Sequence, residues 1–120
     1  MTSPHVSSAA FSGVPERAAL ESRTTELLQR LIRFNTVNPP GDEGPAQEWL
    51  KGLLEDAGVD CILLEGVPGR PNLVARLEAR ADGPALCLLG HVDTVPADPA
   101  DWQVDPWAGE LRDGCVWGRG

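Results

Sequence analysis

The sequence predicts an α/β fold made of two helices, a partial β-sheet and a β-hairpin. Two stretches repeat apolar residues at helical spacing, three short apolar runs follow between turn residues, and an Asp-Gly pair separates two strand-like runs near the end. With 120 residues, 42% of them apolar, the chain has enough material for one domain with a hydrophobic core. Its 13 glycines and 11 prolines indicate many turns.

The first helix is expected over residues 15–34, after a flexible lead at residues 1–13. Pro15 suits the first turn of a helix, and Glu16 complements the positive end of the helix dipole. The apolar residues that recur at helical spacing are Leu20, Leu27, Leu28, Leu31 and Phe34. Residues 35–41 then end the helix, because two prolines, two asparagines and a glycine cannot continue it.

The second helix is expected to start near Pro45 and to stop at Gly58, a residue type common just past helix ends. Its apolar residues lie at positions i, i+3, i+4, i+7, i+8 and i+11, which places them in one stripe. They are Ala46, Trp49, Leu50, Leu53, Leu54 and Ala57.

Three strands and a hairpin are expected in the second half of the chain. The strands are residues 59–64, 72–77 and 85–89. The last run is continuously apolar, which is typical of a strand buried on both faces in the middle of an α/β sheet. Residues 109–112 and 115–117 predict the hairpin, since the Asp-Gly pair between them favours a turn that matches strand twist.

Charge and cysteine content exclude several functional classes. The net charge is −8 and there is no basic run, so neither a nucleic-acid nor a membrane partner is expected. The three cysteines form no Cys-x-x-Cys pair, and we expect them to be small buried apolar residues in a reducing compartment. With no signal-peptide pattern and no apolar run near the ~20 residues of a membrane helix, the expected location is cytoplasmic.

Of the two histidines, His91 has the sequence context of a functional residue. It directly follows the apolar run 85–89 and Gly90, and ligands bind at the carboxyl ends of strands in α/β sheets. In an extended chain, residues 91 and 93 point to the same side, so Asp93 can accept a hydrogen bond from one imidazole nitrogen. The other nitrogen is then free to bind a metal at about 2.0–2.1 Å.

Spacing alone leaves a second interpretation of His91 open, namely a histidine at a strand end followed by an ordinary turn aspartate, because His-x-Asp is a weak pattern. The other candidates have simpler explanations. His5 is expected to be solvent-exposed in the lead, and the aspartates of residues 98–105 lack the ligand spacing of a calcium loop. The late tryptophans are expected to pack over the sheet. Arg119 could meet an anion or pair with a local carboxylate.

Three consecutive motifs strengthen the case for His91. Residues 90–96 are Gly-His-Val-Asp-Thr-Val-Pro, residues 102–109 are Trp-Gln-Val-Asp-Pro-Trp-Ala-Gly, and residues 113–120 are Asp-Gly-Cys-Val-Trp-Gly-Arg-Gly. With residues 35–43 and the two helices, they resemble the start of a family of zinc metallopeptidases. That family comprises the acetylornithine deacetylases, succinyl-diaminopimelate desuccinylases, aminoacylases and glutamate carboxypeptidases. The resemblance covers about 100 of the 120 residues.

The resemblance implies a role for each residue of the His-x-Asp pair. His91 would be a metal ligand, and Asp93 would be the catalytic-site residue that clamps its ring. Residues 14–120 would be the N-terminal part of an α/β catalytic domain. The reaction would be amide hydrolysis in a small-molecule N-acyl amino acid or peptide. Two zinc ions, with cobalt as an alternative, would activate the water while a glutamate takes its proton.

The sequence differs from the family pattern after Gly120. In the family, a metal-bridging aspartate follows the Gly-Arg-Gly motif, and the general base, the other ligands and a lid domain come later. We therefore expect the 120-residue chain alone to be inactive and poorly stable. The alternative is a non-enzymatic truncated product or an interaction module. The exact substrate and the oligomeric state are open.

Overall fold

The computed structural model describes residues 16–78 and 80–120, and the expected lead, Pro15 and His5 lie outside them. In these two ranges the fold is a small α/β arrangement of two helices and two separate two-stranded sheets, which confirms the predicted fold class. None of the helices in this part of the chain is long and apolar enough to cross a membrane.

Helix α1 spans Arg17–Ile32 and helix α2 spans Gly44–Asp56, both within the predicted segments. The end of α2 follows the prediction in detail. Gly58 has a φ of +78°, its N–H donates to the carbonyl of Glu55 at 2.8 Å, and that of Val59 donates to Leu54 at 3.0 Å. These two hydrogen bonds satisfy two carbonyls that have no partner within the helix. The left-handed backbone conformation at position 58 favours glycine.

Strands β1 (Asp60–Glu65) and β2 (Pro71–Arg76) pair antiparallel, with Leu63 opposite Leu73. Helix α2 packs against both strands. The face that carries Leu63 and Leu73 is half-buried, whereas Ile62 on the opposite face is 54% exposed. The small sheet therefore has one covered face and one open face.

The predicted hairpin is present as β3 (Glu110–Arg112) and β4 (Cys115–Trp117), which pair antiparallel. Asp113 and Gly114 between them have φ values of +53° and +77°. Two successive positive φ values define the tight turn that Asp-Gly favours, so local turn chemistry accounts for this hairpin.

The predicted strand at residues 85–89 is wrong. These residues have no strand structure, and Leu86, Leu88 and Leu89 are 83%, 86% and 97% exposed. A strand buried on both faces needs hydrogen-bonded neighbours and covering layers, and the described residues place neither around this run. In the described structure the segment has no strand partner before Thr94, which forms an isolated parallel bridge with Val37.

The expectation of three buried cysteines is also wrong. Cys61 is half-buried, but Cys87 and Cys115 are exposed, and all three thiols are free. Cys87 lies in the unpaired apolar run, so its exposure has the same cause as that of the neighbouring leucines.

Arg119 joins the end of α1 to the loop before the hairpin. Its Nη1 donates to the carbonyls of Ile32 at 2.7 Å and Pro106 at 3.3 Å, and its Nη2 donates to the carbonyl of Phe34. Its guanidinium carbon lies 4.7 Å from the centre of the Trp107 ring. Arg119 is only 5% exposed and binds backbone carbonyls, not the anion or carboxylate considered from the sequence.

Two glycines let the C-terminal segment approach α1 closely. A Cβ on Gly109 would lie 2.8 Å from the carbonyl oxygen of Gln29, and one on Gly118 would lie 2.7 Å from the Ile32 side chain. The Gln29 amide donates to the Gly109 carbonyl at 2.6 Å, and the exposed Arg33 Nε donates to the Ala108 carbonyl at 3.0 Å. The second half of α1 is therefore held by residues 105–120.

Replacing Gly58 and Gly52 by alanine should change stability in opposite directions. Gly58→Ala forces a side chain into the left-handed region and should lower the free energy of unfolding by about 1 kcal/mol. Gly52→Ala, inside α2 with open space at its Cβ, should raise it by about 1 kcal/mol. Urea unfolding followed by helical circular dichroism measures both, and equal signs would contradict this account of the α2 end.

Arg119→Met should lower the free energy of unfolding by about 2–4 kcal/mol, because buried carbonyl oxygens at the α1 end lose their donors. Arg33→Met removes an exposed arginine that also bonds a backbone carbonyl, so it is the matched control, expected to cost about 1 kcal/mol or less. Similar midpoints for the two variants in the same urea experiment would refute the role given to Arg119.

Candidate metal centre

His91 and Asp93 lie together on one wall of an open cleft with a volume of about 640 Å³. We call it the His91 cleft. Its opposite wall comes from the start of α2 and the loop between β1 and β2. The lining residues are Glu43, Gln47, Gly66, Val67, Arg70, Pro71, Asn72 and residues 89–93.

The ring of His91 is held by two oxygen acceptors of Asp93. Its Nδ1 lies 2.8 Å from the carboxylate Oδ1 and 3.1 Å from the backbone carbonyl oxygen of Asp93. Neither oxygen can donate once the carboxyl group is ionised, so the ring proton must be on Nδ1. The Nε2 lone pair is then available, and the side chain is 81% exposed.

The carboxylate of Asp93 is held on both oxygens. Its Oδ2 accepts a hydrogen bond from the side-chain amide of Asn38 at 2.9 Å, while Oδ1 faces His91. The Asn38 hydrogen bond, followed by that of His91, holds the pKa of Asp93 below its usual value of 3.8. Asp93 is therefore charged at neutral pH and able to stabilise a fixed orientation of the ring.

Backbone pairing brings Asn38 to this position. The Asn38 N–H donates to the Thr94 carbonyl at 3.0 Å, and the Thr94 N–H donates to the Thr36 carbonyl at 2.9 Å. Val37 lies between these bonds and forms the parallel bridge with Thr94. The loop after α1 is thus aligned beside the residue that follows Asp93.

An ion pair forms part of the facing wall. Nε of Arg70 donates to Oε2 of Glu43 at 2.9 Å, and Nη2 donates to Oε1 at 2.7 Å. Glu43 is 5% exposed, and the Arg70 hydrogen bond lowers the pKa of its carboxyl group below 4.5. This two-point contact fixes the loop before α2 against the start of β2.

The sequence-predicted pair therefore comes together, although His91 does not follow a central strand. The hydrogen bond between His91 and Asp93 has the geometry that the spacing suggested, while metal binding stays a prediction. Within residues 16–78 and 80–120, no cluster of three His, Cys, Asp or Glu side chains could hold a metal ion. The aspartates of residues 98–105 lie in an ordinary turn region, where the carboxylates of Asp98 and Asp105 accept hydrogen bonds from the backbone N–H groups of Ala100 and Trp107.

Sequence reasoning missed Asn38 and the pair of Glu43 with Arg70. Asn38 was part of a helix-breaking segment, and only its place in the family-like stretch 35–43 gave it any weight. Asn38 lies 55 residues from Asp93 and Glu43 lies 27 residues from Arg70. No local pattern indicates contacts over such distances.

Comparison with known proteins confirms the resemblance stated from the motifs. The chain is 42% identical over 96 residues to "Succinyl-diaminopimelate desuccinylase 2" of Ruegeria sp. (strain TM1040), covering 79% of this chain and 24% of that protein. It is 44% identical over 99 residues to "Succinyl-diaminopimelate desuccinylase" of Methylobacterium sp. (strain 4-46), covering 78% and 24%. The protein of that name from Gluconacetobacter diazotrophicus is 42% identical over 97 residues, with the same coverage.

The chain spans about a quarter of the length of the curated relatives that it matches. No family model matches it.

The Glu43–Arg70 pair predicts a pH dependence of stability. The pKa of Glu43 is lower in the folded chain than its ordinary value of 4.5. Its contribution to the free energy of unfolding is therefore complete above pH 4.5 and is lost as the pH falls through the lower folded pKa. Glu43→Gln should therefore weaken the fall in unfolding free energy at acidic pH. Glu48→Gln, which removes an exposed carboxylate of α2, is the control.

Urea midpoints measured at a series of pH values on both sides of 4.5 check this expectation. An acid slope in Glu43→Gln as steep as that of the unmodified chain, or a slope weakened equally by Glu48→Gln, would contradict it.

Proposed function

We propose that this chain supplies the first metal ligand of a zinc-dependent amide hydrolase that acts on N-acyl amino acids or small peptides. One observation carries the proposal. Two acceptor oxygens of Asp93 hold Nδ1 of His91 and leave Nε2 free and exposed. This is the arrangement in which a carboxylate orients a histidine for zinc.

The donor chemistry fits zinc at one position. A neutral imidazole nitrogen is a common zinc ligand, and the charged Asp93 makes the ring a better donor. A catalytic zinc usually takes about three protein ligands. Because the described residues form no cluster of that kind, the proposal assigns His91 alone to this part of the chain.

A bound zinc ion would supply Lewis acidity, which polarises the amide carbonyl and makes water a stronger nucleophile at neutral pH. This chain contributes by holding the His91 ring in the orientation that presents Nε2 to the metal. In the neutral ring, Asp93 keeps the proton on Nδ1 and so leaves Nε2 as the unprotonated nitrogen that can bind the metal. The open cleft that His91 lines gives a small substrate access to this residue.

We infer the substrate class from the names of the relatives, which are succinyl-diaminopimelate desuccinylases. Removal of a succinyl group from an amine is amide hydrolysis, and we infer the same reaction type for a protein built on this chain. We further infer that the chain by itself does not turn over such substrates, because one ligand and its clamp do not make a complete catalytic site.

A specific observation favours a second candidate, an interaction module. Leu86, Leu88 and Leu89 expose a contiguous apolar run whose backbone is not paired in the described structure. Such a run can add to the edge of another sheet. In that case the His91–Asp93 contact would have a structural role only.

A chimaera tests the enzymatic proposal. The matching segment of the Ruegeria desuccinylase is replaced by that of this chain, and zinc content and desuccinylation are measured. We expect both to be retained, His91→Ala to lose nearly all activity and one metal, and Asp93→Asn to lose about 10–100-fold in affinity or activity. Glu48→Gln, at an exposed position of α2 outside the cleft lining, is the control and should change little.

The comparison is made on chimaeras whose circular dichroism matches that of the parent enzyme. Undiminished turnover and zinc content in His91→Ala would exclude the metal role of His91.

A further inference from the structure

We propose that Asn38 is a positioning residue for the metal centre, which locks the Asp93 carboxylate so that Asp93 can fix the ring of His91. The inference rests on the proposed function of His91. It concerns a residue that does not contact the metal position and acts through Asp93.

The geometry gives each oxygen of Asp93 a separate donor. Nδ2 of Asn38 lies 2.9 Å from Oδ2, and Nδ1 of His91 lies 2.8 Å from Oδ1. An ionised carboxylate only accepts, so the amide must face it with its NH₂ group. With both oxygens bound, rotation of the carboxylate about its Cβ–Cγ bond breaks both hydrogen bonds.

Without Asn38, the Asp93 carboxylate would have one fewer directional contact. Oδ1 and Oδ2 are chemically equivalent, so the freed group could present either oxygen to Nδ1, or turn away and leave the backbone carbonyl of Asp93 as the one acceptor of the two that remains. The ring orientation would then vary, and the second tautomer, with its proton on Nε2, would become populated. That tautomer cannot bind a metal through Nε2.

The backbone holds Asn38 at the required distance. Its N–H is bonded to the Thr94 carbonyl, directly after Asp93, and Val37 is bridged to Thr94. Asn38 is half-buried, and Asp93 has a side-chain exposure of 32%, which shields their hydrogen bond partly from water. The amide therefore bonds the carboxylate from a fixed position.

The choice of side chain is also specific. Asparagine offers a neutral donor, so the negative charge of Asp93 stays available to the imidazole. Aspartate at position 38 has nearly the same shape but would place a second carboxylate against Asp93. Asn38→Asp therefore changes the hydrogen-bonding chemistry with little change in volume, and Asn38→Ala removes the amide altogether.

The test uses the full 120-residue chain with ¹⁵N-labelled histidine. Metal-free spectra of the imidazole nitrogens report the tautomer of His91, and a His5→Gln variant assigns the signals, since the chain has two histidines. We expect the Nδ1–H tautomer in the unmodified chain and a shift towards Nε2–H in Asn38→Ala and Asn38→Asp. Asn35→Ala, in the same loop, is the control and should leave the tautomer unchanged.

Zinc titration of the same samples gives the second readout. We expect zinc to perturb Nε2 of His91, and the affinity to fall about 10-fold or more in Asn38→Ala and Asn38→Asp but not in Asn35→Ala. Circular dichroism of each variant separates a loss of fold from a loss of orientation.

The two proposals fail in different ways. If both Asn38 variants keep the tautomer and zinc affinity of the unmodified chain while Asp93→Ala changes them, the role of Asn38 is overturned. If zinc never perturbs Nε2 of His91, neither in the 120-residue chain nor in the chimaera, the metal function fails. The metal-free tautomer then decides the role of Asn38: a shift in its variants supports it, and no shift overturns it.

Discussion

The buried guanidinium of Arg119 is the interaction on which the rest of this structure depends. The last carbonyls of a helix have no partners within the helix, and a protein must supply donors for them when they are buried. Arg119 supplies two of its nitrogens to the carbonyls of Ile32 and Phe34, and a further bond to Pro106. Desolvation lowers its pKa from the usual value, and no carboxylate bonds it in the described structure, so the helix end and the Trp107 face stabilise this charge.

The position of the candidate metal centre follows from that contact. Because Arg119 fixes the end of α1, the next residues leave the helix in a defined direction, and Thr36 and Asn38 align with Thr94 through backbone hydrogen bonds. The Val95 N–H donates to the Gly120 carbonyl at 2.9 Å, which links these paired segments to the residue after Arg119. The fold and the site thus share one hydrogen-bonded network.

The parts of the fold that local chemistry determines were predictable from the sequence. Helical periodicity located α1 and α2, the Asp113-Gly114 turn located the hairpin, and Gly58 located the end of α2. Residues 85–89 were not predictable in this way, because the burial of a strand depends on neighbours and not on its own composition. For the site, the two-residue spacing of His91 and Asp93 was readable from the sequence, while the contribution of Asn38 comes from a tertiary contact.

The ring of His91 is anchored from one side only. The side chain of Asp93 is bonded to Asn38, and the backbone of Thr94 is bonded to Thr36 and Asn38, whereas the residues before His91 are unpaired in the described structure. With such one-sided attachment, the two hydrogen bonds to Asp93, and not the preceding backbone, orient the imidazole. A metal that binds here would therefore meet a ring that is already oriented, so that little rotational entropy would be lost at this ligand.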